Sequence, residues 1–116
     1  MASRSVQVHF YNNTNTTLSL ISSSLAHGEW SDNDAPPQQI APNAQNVQWG
    51  SESDGLATGT QGSVSYALSS GGTVTISWDN PFSGSNSYSI QAPAGYQGTY
   101  TGGDGNSNQV SFYLST

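Results

Sequence analysis

Apolar and polar side chains alternate along most of this chain, so that every second residue in a segment is apolar. In such a segment Val6, Val8 and Phe10 point to one face, which is typical of a half-buried β-strand. No window shows the helical period of about 3.6 residues. The alternation predicts an all-β fold, and it is clear in seven segments: SVQVHFY, TTLSLIS, NVQWG, SVSYAL, TVTISWD, SYSIQ and QVSFYLS.

Clusters of Gly, Pro, Asn, Asp and Ser separate these segments and predict polar turns. Two weaker strand segments are expected at Ala26–Trp30 and Tyr96–Thr101. A turn roughly every 8–12 residues is typical of a two-sheet antiparallel β-sandwich. We therefore expect an antiparallel two-sheet β-sandwich with short strands. Because 116 residues suffice for one hydrophobic core, residues 1–116 are expected to form a single domain.

The charge balance limits the partners of the chain. Arg4 is the sole Lys or Arg against seven carboxylates, and the net charge is -6. Nucleic-acid binding needs several cations to neutralise phosphates, so we expect no nucleic-acid partner. Attraction to anionic lipid surfaces needs basic clusters and is disfavoured for the same reason. Neutral glycans and neutral lipid headgroups remain as expected partners, and a membrane surface built from such lipids fits the charge.

The chain has no cysteine, so disulfides and thiolate chemistry are excluded. Its first residues, MASRSVQVHF, carry no apolar run of the kind found in signal peptides, and no run is long enough to span a membrane. We expect a cytoplasmic protein without a signal peptide that is released, where release occurs, by a non-classical route. Sheet edges without lysine also predict a homo-oligomer, most simply a two-fold dimer.

Sequence motifs of the common enzyme classes are missing, so we expect a protein that is not an enzyme. His9 and His27 are the only histidines, and nothing in the sequence pairs them with a nucleophile. The acidic turns around Asp32, Asp34 and Asp104 are interpreted as polar turns, with a calcium site as the alternative. No cofactor and no metal are expected.

A binding site for a sugar or a choline group needs an aromatic face and polar neighbours. Trp78 and Trp49 lie in phase with buried positions and are predicted to belong to the core, although Trp49 is also kept as a ligand-binding candidate. Trp30 opens the proline-bounded loop SDNDAPP and is the preferred ligand platform. The polar partners expected around it are His27, Glu29 and Asp32. If Trp30 instead belongs to the core, the site is expected around Trp49, Glu52 and Asp54 or on the glycine-rich turn at Asp104.

Several motifs appear in an order that resembles the aegerolysin-like proteins, over roughly residues 6–90. They are Gly28-Glu29-Trp30, Pro36-Pro37, Trp49-Gly50-Ser51, GTQGSVSY and, most specifically, WDNPFSGSNSY. The resemblance implies a small acidic β-sandwich without a signal peptide that binds sphingolipid-containing membranes, and some members recruit a second protein to make pores. It also implies a structural turn at Trp78, Asp79, Pro81 and Phe82, and a lipid-facing surface near Trp30.

The composition also resembles that of small fungal fruiting-body lectins, which are sandwiches with surfaces rich in Ser, Thr, Asn and Gly. Two functional hypotheses therefore stay open. The first is a lectin-like recognition protein for neutral glycans. The alternative is an aegerolysin-like protein that recognises sphingolipid-containing membranes and takes part in a pore-forming or cytolytic system. Free sugar would inhibit cell agglutination by a lectin, whereas a lipid-binding protein would sediment with sphingolipid vesicles.

Overall fold

Ten β-strands form two five-stranded sheets that pack face to face in the computed structural model, which describes residues 2–116. This part of the chain contains no helix, and therefore none long and apolar enough to cross a membrane. The predicted all-β, two-sheet sandwich is confirmed. The strands are β1 Ser5–Asn13, β2 Leu18–His27, β3 Glu29–Trp30, β4 Gln39–Ile40, β5 Val47–Glu52, β6 Thr60–Leu68, β7 Thr73–Asn80, β8 Ser87–Gln91, β9 Gln97–Gly102 and β10 Ser107–Ser115.

The first sheet has the strand order β3-β5-β1-β10-β9 and the second has the order β4-β2-β6-β7-β8. Neighbouring strands are antiparallel with one exception, because β1 and β10 are parallel. This pair joins the two ends of the chain, with Val8 opposite Val110. The antiparallel arrangement expected from the sequence is confirmed for every neighbouring pair except this one. No local turn connects these strands, so no local signal could specify their direction.

The hydrophobic core lies between the two sheets and follows the alternation seen in the sequence. Trp49 is fully buried at its centre, with its ring centroid 6.1 Å from that of Phe10 and 6.3 Å from those of Tyr66 and Trp78. Trp78 is only 2% exposed. The prediction that both tryptophans belong to the core is confirmed. Aromatic rings at these separations pack as tilted pairs, which add to the stabilisation from burial.

Both weaker strand segments are also confirmed, with different bounds. The segment Ala26–Trp30 is divided between the end of β2 and all of β3, because Gly28 interrupts it with a φ of 93°. A Cβ atom at Gly28 would collide with the carbonyl oxygen of Glu52, so this turn requires glycine. The segment Tyr96–Thr101 corresponds to β9, which begins and ends one residue later.

Five segments meet at one end of the sandwich, which we call the loop end. They come from different parts of the sequence but are adjacent because β1, β6, β8 and β10 begin there while β2, β5, β7 and β9 end there. The side-chain amide of Asn80 ties the two sheets together at this end, since it donates to the carbonyl oxygens of Ser5 at 3.1 Å and Asn106 at 2.8 Å. The five segments are residues 2–4, 27–29, 53–59, 81–86 and 103–106.

The sheet edges are short. Strands β3 and β4 have 2 residues each, while β8 has 5 and β9 has 6. Short edge strands are one of the ways in which a protein without lysine limits uncontrolled pairing with other chains. The homo-oligomer expected from the sequence stays a prediction.

Candidate functional site

Exposed apolar side chains gather at the loop end. Four large apolar side chains are exposed in residues 2–116, and two of them lie in these loops: Leu56 is 96% exposed and Phe82 43%. The third, Tyr100, is 45% exposed and lies on β9, two residues before that strand ends at the loop end. The fourth, Ile21, lies on β2 away from these loops. Single exposed apolar residues are common on protein surfaces, whereas a group of them marks a surface that contacts something else. The loop end is therefore the candidate interaction surface.

A cavity of about 490 Å³ opens at the loop end, between the β7–β8 loop and the β9–β10 turn, and Tyr100 lines it. The rings of Tyr88 and Tyr100 form its aromatic wall, with centroids 5.8 Å apart. We call it the tyrosine cavity. Its lining is otherwise made of glycines and short polar residues, and Asp104 is the one carboxylate: Gly84, Ser85, Asn86, Tyr88, Tyr100, Gly102, Gly103, Asp104, Gly105 and Asn106.

Hydrogen bonds fix the two loops that build the tyrosine cavity. The side-chain amide of Asn86 donates to the carbonyl oxygens of Gly103 at 2.9 Å and Gly105 at 3.0 Å. The hydroxyl of Tyr88 also donates to the Gly103 carbonyl, at 2.9 Å. A Cβ atom at Gly103 would collide with the Tyr88 ring, so glycine lets the ring pack directly on the backbone. The cavity is thus held in shape without a ligand.

The chemistry of the tyrosine cavity suits neutral or positively charged groups. Aromatic faces attract cations and the C–H faces of sugars, and the carboxylate of Asp104 favours positive charge or hydroxyl donors. Neither ring stands alone, because Tyr100 and Tyr88 both pack against Phe112 of the core, at centroid distances of 6.0 Å and 6.4 Å. This packing fixes the rings and reduces the entropy lost when a ligand binds.

Burial raises the pKa of Tyr88 to about 12, with Asp104 acting in the same direction and the nearby side-chain amides of Asn108 and Asn86 opposing it. The unfolded chain releases this proton near pH 10, so between about pH 10 and 12 the folded state alone keeps it, and stability falls as the pH rises. Burial shifts the pKa of Tyr66 in the same direction. We expect Tyr88→Phe to weaken, without abolishing, the loss of stability in this range. Urea unfolding at a series of alkaline pH values measures it, and identical pH dependence in both proteins would contradict the assignment.

A second cavity, of about 470 Å³, lies on the outer face of the second sheet. Four serines form one row across four neighbouring strands, and Asp79 lies in the next row between Gln61 and Ser87. We call this cavity the serine groove. Its hydroxyl and amide groups can both donate and accept hydrogen bonds. The row consists of Ser24, Ser63, Ser77 and Ser89.

A third cavity, of about 390 Å³, is acidic and lies at the loop end near Leu56. Glu29 and Glu52 face each other across β3 and β5, and both line it together with Asp54. The hydroxyl of Ser31 donates to Glu52 at 2.8 Å. Within residues 2–116, no group of three or more His, Cys, Asp or Glu side chains is arranged to hold a metal ion.

The site residues predicted from the sequence do not line a common cavity. Trp30 is half-buried and packs on Trp78, with ring centroids 5.9 Å apart, while its neighbour Glu29 points the opposite way into the acidic cavity. His27 and Asp32 are exposed, and none of the three cavities described above is lined by them or by Trp30. Trp49 is fully buried on the inner face of β5, so its assignment as a ligand-contacting residue is wrong.

Sequence reasoning missed the tyrosine cavity, although two of its signals were present. Asn86 and Tyr88 lie in the motif WDNPFSGSNSY, and Asp104 lies in the glycine-rich turn GGDGN. Asn86 was assigned to a turn and Tyr88 to the strand segment SYSIQ, while the turn at Asp104 was only the alternative site. Their proximity depends on the pairing of β7 with β8 and of β9 with β10 at the same end of the sandwich.

Comparison with known proteins identifies the family of this ten-stranded sandwich. A sequence model of the aegerolysin family matches residues 3–112. The chain therefore belongs to the aegerolysin family, and the resemblance seen in its motifs is confirmed.

One relative and two solved structures are examples of proteins similar to this chain. An uncharacterized protein of Dictyostelium discoideum is 33% identical over 92 residues, which are 78% of this chain but 8% of that much longer protein. The lipid-binding protein Nakanori has the same fold, with a TM-score of 0.86 and 14% identity over 100% of this chain and 73% of its own. A variant of the Xerocomus chrysenteron lectin XCL has a TM-score of 0.64 and 12% identity over 97% of each chain.

Proposed function

We propose that this chain is a non-enzymatic recognition protein that binds lipid headgroups at a membrane surface through its loop end. A lipid- or carbohydrate-binding role is supported by the aegerolysin family and by neighbours that include a lipid-binding protein and a lectin. The observation that favours lipid is the position of the exposed Leu56 and Phe82 at the same end as the tyrosine cavity.

The apolar side chains supply part of the binding energy. Moving a leucine side chain from water into an apolar environment contributes about 1.5–3 kcal/mol, and Leu56 is almost fully available for this transfer. Aromatic side chains such as Phe82 and Tyr100 are favoured at the boundary between hydrocarbon and headgroups. A few such contacts give reversible binding at the membrane surface.

The charge of the protein selects the kind of headgroup. A net charge of -6 opposes an anionic surface, so the target is neutral or zwitterionic. The tyrosine cavity can take a quaternary ammonium group, because Tyr88 and Tyr100 offer aromatic faces and Asp104 a negative charge. Sphingolipid-containing membranes with choline headgroups fit these features.

Vesicle sedimentation tests this proposal. The protein is expected to sediment with sphingomyelin–cholesterol vesicles, to bind less to vesicles rich in phosphatidylserine, and to stay bound in the presence of free sugars. Tyr100→Ala is expected to weaken binding by about 1–3 kcal/mol, as for loss of an aromatic anchor at an interface. Release of the protein by a free sugar, or absence from the sphingomyelin pellet, would refute lipid recognition.

The serine groove favours a second candidate function, the recognition of neutral glycans. Its row of four serines, with Gln61 and Asp79 beside it, matches the donors and acceptors of sugar hydroxyls. A homo-oligomer would strengthen such weak contacts through multivalency. A glycan array with the wild type and Asp79→Asn, together with light scattering for the oligomeric state, tests this function separately from the loop end.

A further inference from the structure

Arg4 is the only Lys or Arg in a chain with seven carboxylates. Within the described residues, its guanidinium makes no hydrogen bond to any of these carboxylates. Among residues 2–116, its guanidinium donates only to backbone carbonyl oxygens. Nε donates to Pro81 at 3.3 Å, Nη1 to Ser3 at 2.8 Å and Nη2 to Phe82 at 2.6 Å. Among the residues that the structure describes, the cation is therefore fixed at the loop end without a carboxylate as hydrogen-bond partner.

The guanidinium keeps the capacity to bind an anion. Arginine has five N–H donors, and the carbonyl contacts use three of them. The guanidinium carbon lies 4.5 Å from the centroid of the Phe82 ring, which is itself 43% exposed. Carbonyl groups and an aromatic face orient a guanidinium but leave its full charge. The free N–H groups and the uncompensated charge can thus be offered to a ligand at the exposed surface.

We propose that Arg4 binds the phosphate of a zwitterionic phosphodiester headgroup, an inference that rests on the proposed membrane function. Arginine is well suited to this role because its planar fork can make two hydrogen bonds to one phosphate. Residues 81–86 carry Phe82, next to Arg4, at one end and Asn86, in the wall of the tyrosine cavity, at the other. One loop therefore links the phosphate-binding cation to the cavity proposed for the ammonium group, and Arg4 distinguishes phosphorylated headgroups from sugar headgroups.

Titrations monitored by NMR with phosphocholine, choline and inorganic phosphate test this inference, using the wild type and Arg4→Gln. The phosphate is present in the first probe and missing from the second, so mutation and probe form a thermodynamic cycle. Arg4→Gln is expected to weaken phosphocholine binding by about tenfold or more, as for loss of a charge-assisted hydrogen bond, and to leave choline binding unchanged. Arg4→Lys keeps the charge but loses the fork, so an intermediate loss is expected.

Gln97→Glu is the matched control, because it makes the same change in net charge at the opposite end of β9. It is expected to bind all probes like the wild type. If the melting curve shows that Arg4→Gln is unfolded, the thermodynamic cycle is measured with Arg4→Lys alone. Equal weakening of choline and phosphocholine binding would overturn the inference, since Arg4 would then only position the loop.

The remaining outcomes identify the source of the phosphate and distinguish a failure of this inference from a failure of the proposed function. If inorganic phosphate binds as tightly as phosphocholine, and Arg4→Gln abolishes this binding, the phosphate site is supported but its ligand is free phosphate. If the wild type and Arg4→Gln bind sphingomyelin–cholesterol vesicles with the same affinity, this inference is overturned but the proposed function is not. A wild type that sediments with no vesicle would instead overturn the proposed membrane function.

Discussion

Replacing Trp78 with alanine is expected to destabilise the fold by about 3–5 kcal/mol, the range seen for buried aromatic residues. The indole is 2% exposed and lies between Trp30 and Trp49, at centroid distances of 5.9 Å and 6.3 Å. Its removal leaves a cavity between the sheets that neighbouring strands cannot fill, because both sheets are fixed by their own hydrogen bonds. Urea unfolding of the two proteins at neutral pH measures the difference.

Trp78 also connects the two sheets through a buried hydrogen bond. Its Nε1 donates to Ser51 Oγ at 2.9 Å, and that oxygen is 2.7 Å from Thr60 Oγ1. Ser51 belongs to the first sheet, while Thr60 and Trp78 belong to the second. Trp78→Phe keeps most of the ring volume but loses this bond, so it should cost about 1–3 kcal/mol. A loss in Trp78→Phe as large as that in Trp78→Ala would contradict this division between packing and hydrogen bonding.

Trp30→Ala is the comparison for Trp78, because Trp30 is only half-buried. A smaller loss of stability is expected, and it need not be zero since the indole packs on Trp78. The preference for Trp30 as a ligand platform depends on the exposed part of its ring. Full loss of stability with unchanged affinity for vesicles and sugars would show that Trp30 is a core residue and not a ligand platform.

The period of two predicted the strands and their buried faces because side-chain direction in a strand depends on local geometry alone. It assigned Val64, Tyr66 and Ile76 to the core, where the structure places them. Strand pairing could not be predicted from this period. The parallel pairing of β1 with β10, and the existence of the two-residue strand β4, depend on contacts far apart in sequence. Neither leaves a pattern in the local sequence.

The candidate site was harder to predict for a related reason. In the two-residue strand β3, the register with β5 places Trp30 inward and Glu29 outward, and two residues are too few to show an alternation. The tyrosine cavity combines Tyr88 and Tyr100 from different sheets with a glycine turn. The sequence provides each group as an ordinary turn or strand residue. Only the three-dimensional fold shows that these residues line the same cavity.

Leu56→Asp is expected to weaken binding to sphingomyelin–cholesterol vesicles by about tenfold or more, since the transfer energy of a leucine is lost and a carboxylate must stay in water. Stability should not change, because Leu56 is 96% exposed. Ile21→Asp is the matched control: Ile21 is 57% exposed on β2, outside the loop end. Sedimentation with vesicles gives the affinities, and urea unfolding gives the stabilities. Equal losses of affinity in both variants would indicate general charge repulsion instead of contact through the loop end.

The lack of cysteine allows a direct measurement of this contact. A single cysteine introduced as Leu56→Cys can be labelled with a dye whose emission depends on polarity, and the same dye at Ile21→Cys reports on a surface outside the loop end. Binding through the loop end moves the Leu56 position into a less polar environment, so its emission should shift to shorter wavelengths when vesicles are added. The Ile21 position should remain in water with unchanged emission. A shift at Ile21 without one at Leu56 would assign the membrane-facing surface to the second sheet.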